Sequence, residues 1–208
     1  MKHSLASSLA SLIRIAAVIG LAAAALTSRA TSVIPPTFPD LVKQSDYVIR
    51  GVVKSVSAEM VNDATGRHIV TSVEIDVRQV IAGTPPAHVV LTMLGGTVGA
   101  LTQTVHGAPK FSVGDDDILF VAGNGKNFSP LVALMHGRYP ILSDSTGRQF
   151  VARNNGVPLY SENDVSLPIG TPSPVKAEQA NAQPLSPAAF IGKIQSAYNQ
   201  SHRPTLEN

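Results

Sequence analysis

The sequence predicts an all-β protein, mainly antiparallel, in which six strands build a small barrel or sandwich, with a long Gly-rich loop between two of them and a short C-terminal helix. Three observations carry this. From about Asp46 to about Tyr160 the apolar residues recur with period two and not with a helical period. Clusters of Gly, Asn, Asp and Ser separate the apolar runs where hairpins need them. Helical spacing emerges near the C-terminus, behind a proline-rich stretch.

Residues 1–30 read as a cleaved signal peptide. Lys2, His3 and Arg14 supply a basic start, Ile15 to Leu26 is an apolar run too short to span a bilayer, and Ser28-Arg29-Ala30 places small residues at −3 and −1 of a cleavage site. The mature chain is expected to begin at Thr31 and to be secreted or periplasmic, with no membrane anchor after cleavage. Removing 1–30 also removes three basic residues and no acidic one, which leaves thirteen basic against fourteen acidic side chains, a net charge of −1. The basic character of the whole chain is therefore no nucleic-acid signal.

Residues 31–45 form an N-terminal extension, and the β-body follows over 46–160. The strands expected are YVIRGVVKSV (47–56), HIVTSVEIDV (68–77), HVVLTML (88–94), ILFVA (118–122), LVALM (131–135) and RYPIL (138–142). In the second, Ile69, Val73, Ile75 and Val77 share one face with Thr71, while His68, Ser72, Glu74 and Asp76 take the other. The pattern slips after Val77, where Val80 and Ile81 are the next apolar residues, so a β-bulge is expected near Arg78-Gln79. Turns are expected at 62–66, 123–127 and 143–147.

Residues 161–187 carry Pro168, Pro172, Pro174, Pro184 and Pro187 among small polar residues, the composition of an extended linker. Over 188–200 an amphipathic helix is expected, with Ser186 as N-cap, Pro187 in the first turn, and Phe190, Ile191, Ile194, Ala197 and Tyr198 on its docking face; 201–208 is a tail.

Several stretches taken together, SDYVIRGVV (45–53), VRQVIAG (77–83) and KFSVGDDDILFVAGNGKNF (110–128), resemble the strand order of the netrin-like module of the tissue inhibitors of metalloproteinases. The chain is also similar to a group of exported bacterial proteins of uncharacterised role that share Gly-Gly, Gly-Ala-Pro and Phe-x-x-Gly-Asp signatures. The resemblance covers about Asp46 to Leu142 and implies a small OB-like closed barrel. Inhibition does not carry over, because those inhibitors chelate zinc through an N-terminal Cys held by disulfides, and this chain has no cysteine.

Sites of chemistry are sparse. Asp115-Asp116-Asp117 lacks the alternating oxygens of a calcium loop and reads as a solvated turn. His68, His88, His106 and His136 show no metal-ligand spacing and read as surface or strand-edge residues, so no metal and no cofactor is expected. Ser173-x-x-Lys176 matches a catalytic pattern only if a helix presents both, which the surrounding prolines argue against. Gly123-Asn124-Gly125-Lys126 lacks the phosphate-loop spacing and reads as a hairpin turn. With no Trp and with Tyr47, Phe111, Phe120, Phe128 and Tyr139 scattered singly, neither a nucleic-acid platform nor a sugar-stacking site is expected.

The loop from Gly95 to Asp116 is longer than the roughly 12 to 15 residues beyond which structureless connections become uncommon. Val98, Leu101, Val105, Pro109, Phe111 and Val113 can pin it against the sheet, and its five glycines permit turns that other residues resist. It is expected to cover one mouth of the barrel and to present Thr102, Gln103, Thr104 and His106 as a polar binding face. The favoured function is a non-catalytic exported binding module with an extracytoplasmic protein or envelope component as partner. The alternative is a metal-dependent or hydrolytic enzyme using His106 with Asp115 or Asp117.

Overall fold

The computed structural model describes residues 33–202 apart from 65 and 180. The expected signal peptide and the tail beyond 202 lie outside the described residues. From Val33 onward the chain forms one unit. No described helix is long and apolar enough to cross a membrane.

Its elements are α1 (Phe38–Lys43), β1 (Tyr47–Asp63), β2 (Gly66–Gly83), β3 (Val89–Leu94), β4 (Gly96–Val98), β5 (Leu101–Gln103), β6 (Asp116–Val121), β7 (Arg138–Ser143), β8 (Gln149–Val151), α2 (Pro174–Glu178) and α3 (Pro187–Ser201). A six-stranded antiparallel sheet runs β3-β2-β1-β6-β7-β8, and β4-β5 is a separate hairpin.

β1 and β2 pair along almost their whole length, from Tyr47↔Gly83 to Asp63↔Gly66. The bulge expected near Arg78-Gln79 is present: Arg50 pairs with Gln79 and Gly51 with Val77, which leaves Arg78 as the extra residue. Two further register shifts leave Ile81 and Lys54 unpaired. Each adds a residue to one strand and increases local bending and twist.

The bend shows in what meets β3. Its outer edge receives the segment that follows β6, with Asn124 Nδ2 donating to the Val90 carbonyl at 2.7 Å, the Thr92 N–H donating to Asn124 Oδ1 at 3.0 Å, and the Leu94 N–H donating to the Phe128 carbonyl at 2.9 Å. One side-chain amide thus satisfies a donor and an acceptor of an edge strand, as a neighbouring strand otherwise does. The strand ladder itself does not close: β3 and β8 stand at its ends, and no strand pairing joins them among the described residues. The stretch 123–127, read as a hairpin turn alone, also seals an edge.

Two cores lie on opposite faces of the sheet, and β6 serves both. Ile118 and Phe120 face a core with Leu41 of α1 and Phe190 and Ile194 of α3. Leu119 and Val121 face a second core with Ile49, Val73 and Leu91. A strand buried on both faces needs an unbroken apolar run, which ILFVA supplies. Phe38, Phe120, Tyr139 and Phe190 meet with ring centroids 5.3 to 6.3 Å apart, so two of the aromatics read as scattered, Phe120 and Tyr139, are gathered inside with Phe38 and Phe190.

The expected strand 131–135 is absent. Val121 bridges to Leu131, after which Ala133 and Leu134 take left-handed conformations (φ 48° and 57°) and a 3₁₀ turn spans Leu134–Gly137. Leu131, Val132 and Leu134 are buried all the same, so the apolar run is satisfied by packing without a ladder.

The stretch 161–187 does not behave as its composition suggests. A 3₁₀ turn spans Glu162–Ser166 with the Ser161 capping box, Val165 is buried in the first core, and Leu185 bonds both the Val151 N–H (2.9 Å) and the Leu159 carbonyl (2.7 Å). Buried Arg153 donates to the Pro168 carbonyl at 3.1 Å and to the Thr171 carbonyl. Prolines make this segment stiff, and its backbone groups and apolar residues find partners on the body. Beyond it α3 matches expectation, with the Ser186 side chain accepting from the Ala189 N–H and with Phe190, Ile191 and Ile194 buried.

Candidate functional site

The long loop is built by the β4–β5 hairpin and by a returning segment held at Arg138. At its entry the Gly95 N–H donates to the Ile69 carbonyl (2.7 Å), and the Thr71 hydroxyl donates to the Gly95 carbonyl (2.6 Å). Gly96 has φ +135°, and a Cβ there would lie 2.4 Å from Thr71 Oγ1. A side chain is refused both by conformation and by space. The hairpin closes with Thr97 and Thr102 hydroxyls 3.0 Å apart.

Gln103 then ties the hairpin to the sheet: its Oε1 accepts from the Ile69 N–H at 2.7 Å. That bond fixes the amide orientation, because only the oxygen can face an N–H.

The returning segment is clamped by one arginine. Arg138 donates through Nε to Asp117 Oδ1 (3.0 Å), through Nη2 to Asp115 Oδ2 (2.6 Å) and through Nη1 to the Lys110 carbonyl, and its guanidinium carbon lies 4.6 Å from the Phe111 ring centroid. A planar five-donor fork can serve three acceptors and stack at once, which a lysine cannot. Asp116 pairs instead with Arg50, with contacts of 3.1 and 2.7 Å.

The solvated acidic turn is therefore corrected: Asp117 is fully buried, and all three carboxylates meet an arginine. Burial raises the Asp117 carboxyl to about 6, opposed by Arg138 and reinforced by Asp115 and Asp116.

Between this loop and the sheet lies a half-open cleft of about 380 Å³. Val56, Val73 and Met93 supply its apolar side from the sheet, and Val105, Pro109 and Phe111 face them from the loop. Its polar rim is Thr71, Thr97, Thr102, Gln103, Thr104 and Lys110. Three of the four residues expected to bind, Thr102, Gln103 and Thr104, line the cleft; His106 is exposed and is not among the lining residues. Gln103 differs from expectation in having half of its amide committed to the sheet.

Arg138, Thr71 and Lys110 were not anticipated. Three adjacent acids opening a buried strand do call for cations, and Arg138 at the head of the apolar run RYPIL was the signal available.

The remaining candidates are placed as follows. Asp115 and Asp117 are held by Arg138, which leaves His106 without them as partners of an acid–base pair. Among the described residues no group of three His, Cys, Asp or Glu is placed to hold a metal ion. His136, expected at the surface or a strand edge, is buried beside the start of β7, and burial with the nearby Arg153 charge lowers its pKa. A helix forms here after all, with Ser173 as its N-cap and Lys176 within it, because Pro174 occupies its first turn, where a missing N–H costs nothing. Yet Ser173 is buried and donates to Asp164 Oδ1 at 2.9 Å, so its hydroxyl has a structural partner.

Compared with models of known protein families and with curated protein sequences, the chain matches none.

Proposed function

We propose that this chain is an exported, non-catalytic binding module, an OB-type bent sheet whose ligand enters the cleft beneath the 95–116 loop. The observation that carries the reading is the cleft itself: an apolar floor with a few polar groups on one rim is the usual make-up of a small-ligand site. Two further features support it. The loop is pinned at Gly95, Gln103 and Arg138, so the cleft is held open before a ligand arrives. The signal-like residues 1–30 suit a secreted or periplasmic protein meeting an envelope component.

The test is to block the cleft without touching the core. Val56 is 39% exposed and lines the cleft, so Val56→Arg fills it from the open side. Immobilised wild type is expected to retain extracytoplasmic material that Val56→Arg does not, at an unchanged melting temperature. Equal retention by both would remove the cleft from the function.

A further inference from the structure

Resting on that reading, we infer that the cleft takes a small amphipathic carboxylate, an unbranched acyl chain of medium length with its head group at Lys110. The hydrogen-bonding groups on the rim are not balanced. The Gln103 oxygen is used by the Ile69 N–H, which leaves the NH₂ half of the amide as a donor. The Thr71 hydroxyl proton is used by the Gly95 carbonyl, and Thr97 and Thr102 bond one another. Among the polar residues lining the cleft, this leaves the Gln103 amide donor, Thr104 and Lys110 without a hydrogen bond named above that occupies them, and these are the groups left for a ligand.

Charge points the same way. Lys110 is the single ionisable residue among those lining the cleft, and no carboxylate stands beside it there. Arg138, just behind Phe111, is already engaged by Asp115 and Asp117. The threonine hydroxyls can donate or accept, so the selection rests on the Gln103 amide donor and the Lys110 cation, which together favour an acceptor with negative charge, a carboxylate over an alcohol or an amine.

The body of the ligand follows from the floor. Val56, Val73, Met93, Val105, Pro109 and Phe111 offer no charge, and Met adapts to flexible chains. A half-open cleft of about 380 Å³ is of the size that takes a small ligand and leaves its far end free to extend into solvent.

Calorimetry on the full chain with decanoate, decanol and decylamine, each below its aggregation concentration, tests this. Decanoate is expected to bind one to one and at least tenfold more tightly than decanol, with decylamine weakest. Lys110→Gln is expected to erase the decanoate advantage and leave decanol binding unchanged; Lys110 is exposed, so the variant folds. If decanol binds as well as decanoate and Lys110→Gln alters neither, the carboxylate assignment falls while the cleft stands. If none of the three binds, or if Val56→Arg binds decanoate as wild type does, the cleft falls with it. Tighter binding of N-acetyl-leucyl-leucine than of decanoate overturns the acyl chain in favour of a peptide terminus.

Discussion

At Arg138 one guanidinium meets Asp115, Asp117, the Lys110 carbonyl and the Phe111 ring, and it is itself buried. Arg138→Met keeps apolar volume and strands Asp117, and breaking a buried pair in this way costs about 3 to 5 kcal/mol. Urea denaturation checks the loss, and its pH dependence checks the cause. The Asp117 carboxyl rises from 3.8 to about 6 in the folded chain. Between those values the folded chain holds a proton that the unfolded chain has released, so this group's contribution to stability falls as pH rises through that window. Asp117→Asn, which mimics the protonated form, is therefore expected to gain on wild type between pH 4 and pH 7. The unpartnered Asp117 Oδ2 is consistent with that direction. A stability difference that does not change with pH would mean the ionised form is fully compensated in place.

At the scale of elements, β2 and the loop give opposite tests of what a residue contributes. Val73 and Ile75 are buried in the second core while Asp76 is exposed. Ile75→Ala is expected to cost about 2 to 5 kcal/mol and Asp76→Ala to stay within about 0.5, read as shifts in denaturation midpoint. Within the loop, Gly96 and Gly99 both have positive φ, but a Cβ at Gly99 meets nothing within 4 Å, whereas at Gly96 it meets Thr71 Oγ1 at 2.4 Å. Gly99→Ala is expected to cost about 1 kcal/mol from conformation alone. Gly96→Ala adds a clash to its strain and is expected to cost about 3 kcal/mol. Hydrogen exchange separates the mechanisms: Gly96→Ala is expected to expose the Ile69 and Gly95 amides, which Gly99→Ala leaves protected.

For the whole molecule, the open question from composition was whether 161–187 tethers or belongs. The Val151 amide donates to the Leu185 carbonyl of that segment, the Leu185 amide donates back to the Leu159 carbonyl of the body, and α3 closes the first core behind it. Both amides are expected to exchange only with global unfolding, and Phe190→Ala is expected to cost about 3 to 5 kcal/mol. Fast exchange at Leu185 in the intact chain would restore the tether. Export belongs to this scale as well: the N-terminus of the mature protein is expected at Thr31 or within a few residues, which mass spectrometry of the extracytoplasmic fraction reads directly.

The sequence by itself determined what local chemistry determines. Period-two alternation placed β2 and its inward face, the slip after Val77 located the Arg78 bulge, Gly-containing clusters marked the three turns, and Ser186-Pro187 with Phe190 and Ile194 specified α3. The loop's order was legible in its spaced apolar residues, and three of its four polar candidates do line the cleft. Tertiary structure decided the rest, because it depends on which distant group arrives. Arg138 reaches acids 21 and 23 residues away, Gln103 reaches an amide 34 residues away, and Asn124 reaches β3 across 34. No local window contains both partners, so the acidic turn read as solvated and 161–187 as a tether. In each case a buried polar group or an open edge required a partner, and the fold supplied one from far along the chain.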